Sequence, residues 1–249
     1  MAERFEIVEK ALIRLLEEKK YSTLRDILAT MNPSDIAAVF EGLEEQQIPL
    51  MFRLLSKEQA AETFVEMELD AQEVLIRGFS DNELKEILDE LYADDAADLV
   101  EEMPANVVKR ILKQADPEMR NTINQLLRYS ENSAGSIMTT EYVSLRPNMT
   151  VEEAILRIRR QGVDKETIYT CYVTEGRVLV GLVTVKDLLL CSDDETLIRD
   201  IMITNLIAIT TATDKEEAAK MLSKYHFLAL PVVDGENRMV GIEIGRAHV

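Results

Sequence analysis

The chain has 249 residues, 47% of them apolar, enough for two ordinary domains with a sizeable core. Its formal net charge of −18 produces a field that repels nucleic acid and anionic membrane surfaces and attracts cations and basic partners. Tryptophan is absent and aromatic residues are few, so Leu, Ile, Val, Met and Ala must fill the core.

The start, Met1 to Glu6, has no apolar stretch behind it, so no signal peptide is expected. No run approaches the ~18–20 apolar residues of a membrane helix, and the chain as given reads as soluble. Cys171 and Cys191 show no metal-type spacing and read as reduced cytosolic thiols.

Residues 5 to 129 read as helix throughout, with glycine only at Gly42 and Gly78. Apolar residues recur at helical spacing, as in Leu12, Leu15 and Leu16, or Leu84, Ile87, Leu88 and Leu91. Asn32-Pro33, Ser56, Ser80-Asp81 and Asp116-Pro117 mark helix starts. A weak motif recurs at Ile36–Glu41, Gln59–Phe64 and Ala96–Val100, which predicts short helices stacked into a superhelical array of either hand.

The polar stretch Tyr129 to Gly135 reads as a linker. Beyond it, strands are expected at 169–173, 178–183, 207–210 and 229–233, alternating with helices at 151–160 and 215–225. The pattern is α/β, and it repeats. Ile137-Met138 matches Ile201-Met202, and Thr150–Ala154 matches Asp214–Ala218, both at a spacing of 64. Gly181-Leu182 matches Gly241-Ile242 at 60, so the first copy carries four extra residues, placed within Gln161 to Thr167. Each copy opens its helix with an expected capping box, Thr150 with Glu153 and Asp214 with Glu217.

An Ile-Met opening, a capped helix and Gly181-Leu182-Val183-Thr184-Val185-Lys186-Asp187 resemble a CBS module. Two tandem copies resemble a CBS pair, whose sheets stack around a pseudo-two-fold axis. Ser133 to Val143 and Leu228 to Asp234, joined to the acidic helical region, are similar to MgtE-type magnesium transporters over nearly the whole chain. The resemblance implies an α + α/β architecture: an all-α superhelical domain at 1–130, CBS modules at 131–200 and 201–242, the second truncated. After Ile242 the repeat predicts a Thr or Ser, an Asp and a final helix. Glu243 to Val249 break that pattern and read as a non-native tail, where the family continues into a connecting helix and five membrane helices.

The same resemblance implies a Mg²⁺-sensing regulatory region at the cytoplasmic face of the bacterial membrane. Its partners would be its own transmembrane domain and a second copy bound through the CBS pairs. The metal candidates are Asp94, Asp95 and Asp98, and a second acidic face of Asp214 and Glu216. Asp94 and Asp98 share a helix face, and Mg²⁺ keeps several waters while taking one or two carboxylates. Acidic residues in a first helical turn are equally explained by the helix dipole, and Asp214 and Glu217 by capping. The family commonly shows Asp where His226 stands, and imidazole is a poor Mg²⁺ ligand beside oxygen. The second implied ligand is ATP, with Thr184 and Asp187 on the ribose and Lys186, Phe227 and Pro231 lining the cleft; capping of the next helix explains Asp187 equally well.

No Ser/His/Asp order, P-loop or Cys–His pairing appears, so an enzyme is not expected. Two alternatives stand beside the Mg²⁺ sensor. One is an adenine-nucleotide-sensing CBS protein whose acidity is incidental. The other is a helical scaffold, since the N-terminal repeats also resemble the flagellar motor switch protein FliG.

Overall fold

The structure, a computed structural model, describes residues 2–245; the side chains of residues 2–6 and of Asp164 lie outside that description. The chain forms two compact units, residues 1–91 with 98–120 and residues 92–97 with 121–249.

Ten helices come first: α1 (Ala2–Glu17), α2 (Tyr21–Leu28), α3 (Pro33–Glu41), α4 (Ile48–Phe52), α5 (Lys57–Val65), α6 (Leu69–Gly78), α7 (Asp81–Leu88), α8 (Ala93–Glu102), α9 (Ala105–Gln114) and α10 (Pro117–Leu126). The four starts expected from sequence are all present as caps. Asn32 accepts from the Ser34 amide with Pro33 in the first turn, and Ser56 accepts from Gln59. Ser80 and Glu83 form a reciprocal capping box, and Asp116 Oδ1 accepts from Glu118 and Met119. Each cap satisfies amides that no helical carbonyl can reach.

In the first unit α3 packs on α5, α5 on α7 and α7 on α9, while α4 packs on α6. The small residues of the first two motif copies, Ala37, Ala60 and Ala61, are buried and allow the close approach. The third copy lies on α8, outside this row. Phe52 sits at the hub of the core, with ring centroids 6.2 Å from Phe40, 6.3 Å from Phe64 and 5.5 Å from Phe79. Such pairs add about 0.5–1.5 kcal/mol each beyond the area they bury. The Arg110 guanidinium on α9 donates to the carbonyls of Ile76 and Phe79, which the end of α6 leaves without helical donors.

The second unit holds two copies of one arrangement. The first is α11 (Ala134–Ile137), β1 (Ser144–Leu145), α12 (Val151–Gln161), β2 (Thr170–Glu175), β3 (Val178–Thr184) and α13 (Val185–Leu190). The second is α14 (Ile198–Ile201), β4 (Ile209–Thr210), α15 (Lys215–Tyr225), β5 (Ala229–Val233) and β6 (Met239–Ile244). In each, the first strand runs parallel to the second across the intervening helix, and the third returns antiparallel: β1-β2-β3 and β4-β5-β6. The architecture is a helical domain followed by an α/β CBS pair.

The recurring Ile-Met and Gly-Leu/Ile pieces meet across the repeats. Thr139 exchanges both backbone hydrogen bonds with Ile242 at 2.9 Å, and Ile203 does so with Leu182. The opening segment of each module thus extends the other module's sheet. A Cβ on Gly241 would come within 2.6 Å of the Met138 sulfur, and one on Gly181 within 2.6 Å of the Met202 sulfur. Glycine is needed at both places because the partner's methionine lies against the backbone. Tyr172, Leu179, Val233, Met239 and Ile242 form a cluster drawn from both sheets.

Two expectations need refinement. The polar stretch at 129–135 is a connector only at its start. The Ala134 and Gly135 amides bond to Thr213 and Thr211 carbonyls, and Ser133, Ala134 and Gly135 are buried. At α15, Asp214 accepts from both Glu216 and Glu217 amides, but among the described residues Glu217 makes no return bond. One short oxygen therefore does the work of the expected box. At the end of the chain, Glu243 and Ile244 continue β6, opposite Leu230 and Ala229. The tail assignment for residues 246–249 falls outside the described residues. The four-residue surplus of the first repeat falls after α12, where a 3-10 turn runs from Gly162 to Asp164.

Candidate functional site

Helix α8 begins with the acidic segment. Asp94 is only 6% exposed, Asp95 is half-buried and Asp98 is exposed. Residues 92–97 belong to the same compact unit as residues 121–249. Within that unit the Tyr92 phenol is pushed up, first by burial and then by the charges of Glu166, Glu141, Asp95 and Asp94. Desolvation and neighbouring anions both disfavour phenolate. The phenol therefore reports an acidic locality that includes two residues sequence reasoning missed, Glu141 and Glu166. Glu141 is held by the Thr139 and Thr140 hydroxyls, at 2.7 and 3.1 Å, and by the Thr140 amide. Its position within the Met138-Thr139-Thr140-Glu141 junction was visible in sequence, but its neighbours were not.

The oxygen donors around Tyr92 are of the kind Mg²⁺ takes. Among the described residues no group of three or more His, Cys, Asp or Glu is placed to hold a metal ion.

The second acidic face divides by role. Asp214 Oδ1 is occupied at 2.9 Å by the Glu216 amide, which makes this carboxylate a helix cap. Glu216 points to solvent, 3.5 Å from Lys220 one turn on. His226 ends α15 in the left-handed region with φ 53°. Asn, Asp and His are the side chains most tolerant of that region, which gives a backbone reason for Asp or His at this position.

The nucleotide candidates lie at the end of β3, in the first turn of α13, and before and within β5. Thr184 caps α13 and Asp187 reaches back to the Thr184 amide at 3.1 Å, while their side chains meet at 2.5 Å. The cap is therefore Thr184, and Asp187 is the returning arm of a box. Lys186 is exposed, and Phe227 is exposed and stacks on Tyr225 at 5.5 Å. Pro231 is buried in β5. Among the described residues no helix is long and apolar enough to cross a membrane.

Comparison with known proteins bears on both parts of the chain. Residues 31–132 match the profile of the MgtE intracellular N domain, and residues 134–193 and 198–242 match the CBS domain. The magnesium transporter MgtE of Thermus thermophilus is 37% identical over 238 residues, covering 93% of this chain and 52% of that protein. MgtE of Bacillus subtilis is 28% identical with similar coverage. The chain spans about half the length of these curated relatives. The crystal structure of the cytosolic domain of the Mg²⁺ channel MgtE in complex with ATP superposes with a TM-score of 0.88 at 36% identity, covering 95% of this chain and 97% of that one. The soluble part of a magnesium transporter gives 0.85 at 29% identity. The helical unit, the CBS pair and these likenesses together show that the chain belongs to the MgtE family, of which it carries the intracellular N domain and the CBS pair.

Proposed function

We propose that the chain is the cytosolic, Mg²⁺-sensing regulatory region of a bacterial magnesium transporter, placed at the cytoplasmic face of the membrane. The observation that carries the reading is the acidic locality around Tyr92, built from the start of α8 and from Glu141 and Glu166 of the CBS pair. Asp94, Asp95 and Asp98 serve as the principal cation ligands, with Asp214 and Glu216 as a secondary acidic face.

At low Mg²⁺ these carboxylates repel. Two like charges ~4 Å apart cost about 4 kcal/mol at an effective dielectric of 20. A few such pairs exceed the ~5.5 kcal/mol that moves a two-state equilibrium from 1:99 to 99:1. Neutralising them by Mg²⁺ favours compaction of the N domain on the CBS pair, which a transmembrane domain would read as a signal to gate permeation. The chain acts by binding and not by catalysis, and it works as a dimer joined through the CBS pairs. Domain limits at 1–130, 131–200 and 201–242 fit this assignment.

A second ligand is ATP, favoured by the likeness to an MgtE cytosolic domain solved with ATP. Thr184, Lys186, Asp187, Phe227 and Pro231 would hold it.

Titration calorimetry with Mg²⁺ and then with ATP tests both assignments. Millimolar Mg²⁺ should bind, and Asp94→Asn with Asp95→Asn should weaken that binding. Intact ATP binding with no Mg²⁺ binding would replace the cation sensor by a nucleotide sensor. Trypsin gives a second readout at exposed Arg128 in the connector. Cleavage there should slow as Mg²⁺ rises, and a rate indifferent to Mg²⁺ would argue against compaction.

A further inference from the structure

In this acidic chain, cationic side chains gather in one place within the second unit. Two adjoining clefts of about 480 and 570 Å³ share Arg157, Arg160 and Gln161 of α12. Lys165 and Arg177 complete the first and Arg146 the second. Among the described residues none of these five cations takes part in an ion pair, and the only carboxylate lining either cleft is Glu153. That carboxylate is engaged by the Thr150 amide at 3.0 Å in the α12 cap.

We propose that this cleft binds a small phosphate-class oxyanion. Three further observations support the assignment. The Arg157 Nε is buried and has no acceptor. A buried charged donor without a partner is costly, and a bound oxyanion supplies the missing acceptor. Arg177 occupies the hairpin turn between β2 and β3 with φ 73°, following Gly176 at 55°. A bulky residue in that region is strained, and the second repeat places Asn237 in the corresponding turn instead. The turn is fixed by the Met239 amide, which donates to the Arg177 carbonyl at 2.8 Å, so the guanidinium springs from an anchored backbone. The nearby Asp234 is not its dedicated partner, because that carboxylate accepts from the Glu236 and Arg238 amides at 2.9 Å. The helix dipole accounts for Arg160 in the last turn of α12, but not for cations delivered from β1's flank, the 165 loop and the hairpin.

Guanidinium forks match phosphate oxygens in pairs, and Tyr142, Ser144 and Thr174 line the same cleft, the Ser144 and Thr174 hydroxyls bonded to each other at 2.9 Å. The residues assigned to ATP line neither cleft, so the two sites are separable. The apolar floor of Met239 and Val240 is short, which suits a compact anion better than one carrying a large ring system.

The test is calorimetry of the full chain with pyrophosphate in Mg²⁺-free buffer at fixed ionic strength, with sulfate as comparison. Saturable pyrophosphate binding is expected, tighter than sulfate. Arg157→Gln with Arg160→Gln should weaken it roughly tenfold or more, and Phe227→Ala should leave it unchanged. Thermal midpoints check that the variants fold. If the double variant does not, Arg177→Asn, which suits the left-handed turn, carries the test with the same expected weakening. No binding, equal affinity for sulfate, or loss only in Phe227→Ala would each overturn the proposal.

Discussion

Cys171 lies fully buried in the first CBS sheet, and burial pushes its thiol up to about 12. Cys191, half-buried, donates to the Asp193 carbonyl at 3.4 Å. The thiolate is the reactive form, so a thiol reagent at pH 8 should label Cys191 in the native protein and Cys171 only after denaturation. Equal labelling of both in the folded chain would contradict the burial of Cys171. Glu83 shows the opposite shift. Its bond to Arg53, and then the Ser80 amide, lower its carboxyl from 4.5 to about 2. A depressed carboxylate contributes stability that is present above the unfolded value and lost as pH falls. The window is therefore from about 4.5 down to about 2. Glu83→Gln should lower the urea midpoint at pH 7, and the gap from wild type should close toward pH 2. A gap independent of pH would assign the loss to something other than the carboxylate charge.

At the scale of elements, the exchanged opening segments make the two glycine positions that correspond in the repeats unequal. At Gly181 the three atoms nearest an added Cβ all belong to the Met202 side chain, its sulfur first at 2.6 Å. At Gly241 it also meets the Thr139 carbonyl oxygen at 2.7 Å, which belongs to the bridge with Ile242. A side chain can swing away, whereas backbone in a ladder cannot move without losing hydrogen bonds. Gly241→Ala should therefore destabilise by about 1–3 kcal/mol, the usual range for overpacking, and Gly181→Ala by less. Paired denaturant unfolding checks the order. Equal losses would mean that Met138 and Met202, and not the Thr139 backbone, set the limit.

For the whole molecule, the proposed Mg²⁺ response rests on repulsion between carboxylates. Asp94→Asn with Asp98→Asn removes charge from one face of α8 at little change in volume. In the absence of Mg²⁺ the variant should have a smaller radius of gyration than wild type by small-angle scattering, and it should contract less when Mg²⁺ is added. A variant that contracts as fully as wild type would remove these two residues from the response.

The sequence by itself determined what depends on neighbours along the chain. Caps at Asn32, Ser56, Ser80, Asp116, Thr150 and Asp214 could be read because a cap is decided within four residues. The helices expected at 151–160 and 215–225, observed at 151–161 and 215–225, and the strand at 229–233 followed from hydrophobic period and from the repeat spacing of 64. The two-residue strand β1 and the four-residue helices α11 and α14 are too short to impose a period, and of the strand expected at 207–210 only Ile209 and Thr210 pair, with Val232 and Val233. Tertiary structure alone decided that Thr139 pairs with Ile242 and Leu182 with Ile203, joining the modules by their opening segments. It also brought Glu141 and Glu166 into the field at Tyr92, and gathered Arg146, Arg157, Arg160, Lys165 and Arg177 around one cleft. Those groupings arise from residues tens of positions apart, and their physical cause is the burial of shared apolar faces, which leaves no local spacing to read.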